Sequence, residues 1–282
     1  MVGGVPAVLA SSAMGDARKL QSPGPFRTDQ LRSGDPYELS EGHPVFCAPT
    51  GRDGAGPNGF GFSVLDSDPA VRNAGVDAGI AISKNTLRAP DVAVNLEHDG
   101  GTWATSAPLV LEYAGRGQDE AELATKIAEL LAAGTRWVWV MRLVGPRRVE
   151  VHAAASPVRV VNVDGELTAP GVLALPVPVR ALFERDAAHE TTLRNLLSAR
   201  GYSSLEALRD KSREEGREEG LAPLVRLFER RLSRALTEAE RETLRRRLVT
   251  SGPARLGDVV LDLGTAELAA WLVDGTEDVG RG

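Results

Sequence analysis

The chain has 282 residues, of which 42% are hydrophobic and 26% charged, with a net charge of −6. That composition is ordinary for a soluble globular protein, and no apolar run approaches the ~20 residues of a membrane-spanning helix. A single cysteine, Cys47, excludes an internal disulfide framework, and the net negative charge argues against a non-specific nucleic-acid coat while leaving a local DNA groove open.

Residues 1 to about 34, rich in Gly, Pro and Ser, read as a poorly ordered leader. Its apolar opening lacks the preceding positive charge of a signal peptide, so a cytoplasmic setting is expected. PYELSEGHPVF then reads as two strands about a tight turn at Glu41-Gly42, and Ala48 to about Gly79 as loops with a short strand at GFSVL. GIAIS, APDVAVNLE and PLVLEYA are apolar or β-branched runs separated by turn signals, which predicts strands. In DEAELATKIAELLAAG, Leu123, Ile127, Leu130 and Leu131 fall on one helix face, and Gly134 is a natural stop. TRWVWVMRLV and RRVEVHAA predict two further strands about Gly145-Pro146, with Trp137 and Trp139 packing on the sheet.

From about Ser203 the chain becomes helical and strongly charged. Ser203 with Glu206, and Thr237 with Glu240, fit the capping-box pattern, and REEGREEG reads as a solvated connector. Leu221, Leu224, Val225, Phe228, Leu232, Ala235 and Leu236 form an apolar stripe. It must pack on another helix, on the sheet domain, or on a second chain, which makes a homodimer through the C-terminal helices one expectation. The organisation predicted is a leader (1–34), an α/β domain with a mixed sheet flanked by helices (35–200), and an all-α region (201–282).

Two carboxylates stand out. Side chains alternate along PLVLEYA, so Glu112 shares a face with Val110 and Ala114, and Asp91 opens the strand DVAVNL. A carboxylate in an apolar strand is costly to bury unless it is paired or binds a cation. Two on neighbouring strands suit a hard divalent cation such as Mg2+ or Mn2+. Lys126 and Glu122, four residues apart on the helix, could by themselves be a surface ion pair.

At these residues the sequence resembles the Uma-two family, a restriction-endonuclease-like branch of the PD-(D/E)XK nuclease superfamily. The resemblance runs from about Pro36 to Phe183, through YELSEG, APDVAV, PLVLEYA, the lysine-bearing helix, RWVWVM and RRVEVH. It implies a restriction-endonuclease-like sheet and metal-dependent hydrolysis of DNA. It also implies metal ligation by Asp91 and Glu112 with Glu38 close by, and a catalytic Lys126 on the helix, since Ala114 stands where the superfamily lysine would follow the glutamate. Glu122 matches the acidic residue usual four positions before that lysine. The Gly- and Pro-rich GRDGAGPNGFGF replaces a helix usual in the family, and AGRG thins the polar residues after the glutamate strand. These departures support a second reading, a catalytically degraded nuclease fold used for assembly or regulation.

Overall fold

A computed structural model describes residues 24–49 and 51–273, and the chain divides into two compact units, Met1–Gly201 and Tyr202–Gly282. The first is mixed α/β and the second all-α, as the sequence patterns predict. No helix among the described residues is long and apolar enough to cross a membrane.

In the first unit, β1 (Tyr37–Ser40) and β2 (His43–Phe46) form the expected hairpin. Glu41 and Gly42 both adopt positive φ, 47° and 83°, the backbone that a two-residue hairpin turn requires. The hairpin belongs to a four-stranded sheet of order β2-β1-β5-β4, with β4 at Ile80–Ser83 and β5 at Thr86–Arg88. Residues 24–34, expected within the leader, are instead folded onto it; residues 1–23 lie outside the described residues. Phe26 and Leu31 are buried against Leu39 and Leu87, and Trp103 Nε1 donates to Thr28 O at 3.2 Å. Two apolar anchors bury more than a Gly/Pro-rich composition suggests.

A second, six-stranded sheet has the order β10-β9-β8-β7-β6-β3. Its strands are β3 (Ala74–Val76), β6 (Val92–Val94), β7 (Leu109–Ala114), β8 (Trp137–Arg142), β9 (Arg148–His152) and β10 (Arg159–Asn162). The β7–β8 pair is parallel, and the chain crosses between those strands through the helix at Glu120–Ala132; the other pairs are antiparallel. That helix starts on Asp119, whose side chain accepts the Ala121 and Glu122 N–H groups, and the chain leaves it through Gly134 at φ 98°.

The alternation read from PLVLEYA sorts the two faces of this sheet. Leu109 and Leu111 join Trp139 and Met141 in one core, while Val110 and Ala114 join Leu123, Ile127 and Leu130 in the other. Glu112 lies on the second face, opposite the Glu120–Ala132 helix.

The largest correction concerns residues 48–79. Arg52–Asp66 is an α-helix, here α1, so Glu120–Ala132 becomes α2; the short strand expected at GFSVL lies inside α1, and β3 follows it. Four glycines and Pro57 make this a poor helix in isolation, each Gly costing about 1 kcal/mol against Ala and Pro about 3. Packing reverses the outcome: Val64 and Leu65 are fully buried, and Phe60 and Phe62 pack on the same core. Gly61 explains part of the composition. A Cβ there would lie 2.2 Å from the Tyr113 hydroxyl oxygen and 2.7 Å from Leu111 Cδ2, so the helix can sit this close only without a side chain. Gly61→Ala is therefore expected to destabilise by about 1–3 kcal/mol through overpacking, against a helix-propensity gain of about 1. Thermal denaturation checks the sign; a raised midpoint would refute the close approach.

The sequence reading also left residues 185–199 unassigned. They form α3 (Arg185–Ala199), tied to α1 by Asn195, whose Nδ2 donates to Val64 O and Ser67 Oγ, both at 3.1 Å. A two-stranded pair, β11 (Glu166–Leu167) and β12 (Val177–Pro178), comes before it.

The second unit comprises α4 (Leu205–Leu232), α5 (Glu238–Asp262) and α6 (Thr265–Val273). Thr237 and Glu240 make the predicted capping box, whereas the first cap is Ser204, accepting from Ala207, one residue later than expected. REEGREEG is solvated, but it is a stretch of α4 rather than a connector. The apolar stripe is spent inside the unit: Leu221, Leu224, Val225, Phe228 and Leu236 bury against Leu244, Leu256, Val260, Leu268 and Leu272. In the run Arg245-Arg246-Arg247 only Arg246 is exposed. Arg245 pairs with Glu242 and Glu218, and Arg247 is buried over the Trp271 ring at 3.9 Å.

Candidate functional site

Lys126 is the centre of the arrangement. It rises from α2 at the flank of the buried stripe, and its side chain is only 12% exposed. Its Nζ lies 2.8 Å from Glu112 Oε1, 2.9 Å from Glu38 Oε1 and 3.0 Å from the Ala89 carbonyl oxygen, to which it donates. Three acceptors match the three N–H bonds of an ammonium. Burial works against the charge of Lys126, but Glu112 and Glu38 outweigh it and hold its pKa above the ordinary range. The lysine stays cationic.

Glu112 comes from the middle of β7. Burial pushes its carboxyl well above the usual carboxylate range, with Lys126 pulling the other way and Asp91 and Glu38 adding to the rise. Among the described residues its buried Oε1 has no partner other than Lys126, 2.8 Å away.

Asp91 lies just before β6, one step beyond the Val92–Leu111 pair and therefore alongside Glu112. Its Oδ2 accepts the Tyr113 backbone N–H at 2.6 Å and its Oδ1 accepts Asn58 Nδ2 at 2.9 Å. Burial raises its pKa, and those two donors and the charge of Lys126 oppose the rise. Asn58 is presented by α1, the helix that the sequence reading missed.

Glu38, expected close to a metal, is fully engaged. Its Oε1 accepts the Ala89 N–H at 3.0 Å and pairs with Lys126, and its Oε2 accepts from Arg88 at 3.0 Å. The structure gives it the task of holding two cations. Glu122 turns to Arg88 rather than to Lys126, at 2.6 Å, and Glu129 pairs with the Arg88 Nε. Neither the surface pairing considered for Lys126 and Glu122 nor a direct link between them is formed.

Sequence reasoning missed Arg88, Asn58, Asp77 and the Ala89 backbone. Arg88 had a signal, since a charge in the short strand TLR needs acidic partners if it is buried. Asp77 stands near Asp91, its N–H directed at the Asp91 carbonyl at 3.4 Å, and it feels the charges of Lys126 and Glu38. Cys47 is exposed. A cleft of about 560 Å3 lined by residues including Arg72, Asn95 and Arg136 opens where β7 and β8 begin and contains none of the four candidates.

Six carboxylates (Glu38, Asp77, Asp91, Glu112, Glu122 and Glu129) thus surround two cations, Arg88 and Lys126. Among the described residues no group of three or more His, Cys, Asp or Glu is placed to hold a metal ion alone. The donor set fits a cation that takes one or two carboxylates and keeps water or phosphate oxygens in its other positions, as Mg2+ does. Glu112, whose one charged partner is Lys126, suits such an ion.

Comparison of the sequence with family models and with curated proteins gives no match. Among solved structures, the chain is similar to a candidate nuclease belonging to DUF820 from Anabaena variabilis. The TM-score is 0.49 with 18% identity, over 58% of this chain and 99% of the other.

Proposed function

We propose that this protein is a divalent-metal-dependent endonuclease of the PD-(D/E)XK kind, hydrolysing phosphodiester bonds of DNA. The observation that carries the reading is the meeting of Asp91, Glu112 and Lys126 at one spot, delivered by three different elements. Asp91 and Glu112 would hold Mg2+ or Mn2+. When bound, such an ion activates water and offsets charge developing on a phosphate. Lys126 supplies a fixed positive charge to a phosphate oxygen or orients the attacking water. Asn58 and the Tyr113 N–H orient Asp91, and Glu38 positions Lys126.

The test is cleavage of plasmid and single-stranded DNA with Mg2+ or Mn2+. Asp91→Asn keeps the shape of the side chain and is expected to lower the rate at least about a hundredfold. Chelation should abolish cutting. Cleavage that survives both treatments would refute the assignment. One observation favours the second reading, a nuclease fold retained for assembly or regulatory contacts: the three acceptors of Lys126 are all supplied by the protein itself. A wild-type chain that neither cuts DNA nor binds Mn2+ would support it.

A further inference from the structure

We infer that Lys126 is a built-in counter-cation that competes with the divalent metal for Glu112, so that metal entry requires the ammonium to let go of that carboxylate. The inference rests on the metal-dependent reading above and adds a control on the same site.

The geometry is that of a cation already caged by oxygen. Nζ has acceptors at 2.8, 2.9 and 3.0 Å, from Glu112, Glu38 and the Ala89 carbonyl. Its three anchors are unequal. The Ala89 contact is a directional hydrogen bond, and Glu38 is itself fixed by the Ala89 N–H and by Arg88. Glu112 Oε1, by contrast, has no partner but Lys126 among the described residues. That anchor is the one to exchange.

A divalent ion placed between Asp91 and Glu112 would stand within a few ångströms of a fixed ammonium, and like charges at that range repel strongly in a buried site. If Lys126 keeps Glu38 and Ala89, it can release Glu112 by a small rotation and remain beside the metal. The same lysine then excludes the ion in the resting state and stands ready for an anionic substrate in the loaded one. Metal affinity is thereby lowered by the residue that the reaction needs.

The test is calorimetric titration of Mn2+ into the full chain, wild type beside Lys126→Met. The expected result is an affinity about tenfold or more higher in the variant, or binding in the variant where wild type shows none. Equal or weaker binding by a folded variant, with wild-type binding intact, would overturn the competition and leave the metal site standing. Binding by neither chain would overturn both.

Should Lys126→Met fail to fold, wild type alone decides. The chain has only four lysines, Lys19, Lys84, Lys126 and Lys211, so ammonium resonances can be assigned by nitrogen-15 labelling of lysine. At saturating Mg2+ the Lys126 ammonium signal should shift or exchange faster. An unmoved signal at saturation would overturn the proposal.

Discussion

Replacing Arg88 with methionine should cost the N-terminal unit about 3–5 kcal/mol, because it leaves Glu38 Oε2 buried without its cation, Lys126 and the Ala89 N–H serving only the other oxygen. Arg88 is fully buried and pairs with Glu38, Glu122 and Glu129, whose side chains are 5%, 33% and 18% exposed. The three acids do not contribute equally. Glu122 and Glu129 can turn toward water when the guanidinium is gone; Glu38 cannot. The penalty is therefore concentrated in Glu38, and a double variant, Arg88→Met with Glu38→Gln, should recover part of it. Urea denaturation of the single and double variants measures both quantities. A loss below about 1 kcal/mol in the single variant would mean that the network behaves as a surface ion pair. The guanidinium is not ideally satisfied even now, since Arg88 Nη2 is buried without a hydrogen bond. Such an arrangement holds side chains in place more than it adds stability, as expected of a residue that positions the support of Lys126.

A comparable loss, about 3–5 kcal/mol, is expected for Phe228→Ala in the helical unit. Phe228 is fully buried among Leu244, Leu256 and Leu268, and its ring stacks on Trp271 with centroids 5.8 Å apart at 23°. Removing it opens a cavity in the only core that α4, α5 and α6 share among the described residues. Its neighbour Leu227 provides the control. That side chain is 44% exposed, so Leu227→Ala should change stability by less than about 1 kcal/mol. Denaturation followed by far-ultraviolet circular dichroism would show whether the two substitutions separate. Equal losses would contradict the direction in which the stripe faces.

The sequence was legible where one physical signal dominated. Period-two alternation placed Glu112 on the face shared with Val110 and Ala114, and the Leu123–Ile127–Leu130 spacing placed α2 against it. Gly42 and Gly134 marked a turn and a helix end through the backbone that each must adopt. Reading failed where packing overrides local preference. No propensity argument makes a helix of RDGAGPNGFGF; the sheet makes it one, and Asn58 was hidden with it. Lys126 could be placed on its helix, but not its three acceptors, because Glu38 and Ala89 lie 88 and 37 residues before it in the chain. Arg88 was overlooked because charge alone does not reveal burial. The apolar stripe left three covers open, another helix, the sheet domain or a second chain, and α5 and α6 supply the first of them.

Arg88 ends the four-stranded sheet and Asp91 precedes a strand of the six-stranded one, leaving Ala89-Pro90 as the bridge between them. The bridge has one amide hydrogen and, at Ala89, one carbonyl oxygen committed to the site: the first to Glu38, the second to Lys126. Pro90 has no amide hydrogen to offer. The two sheets are thus latched at a dipeptide, by a carboxylate from one side and an ammonium from a helix packed on the other. A fluctuation that parts the sheets at this dipeptide must break the hydrogen bond from the Ala89 N–H to Glu38 and disturb Lys126 in the same event. The amide of Ala89 accordingly reports on the whole latch, which joins the two sheets through polar groups beside the apolar cluster that Ile80 shares with Ala93 and Val110.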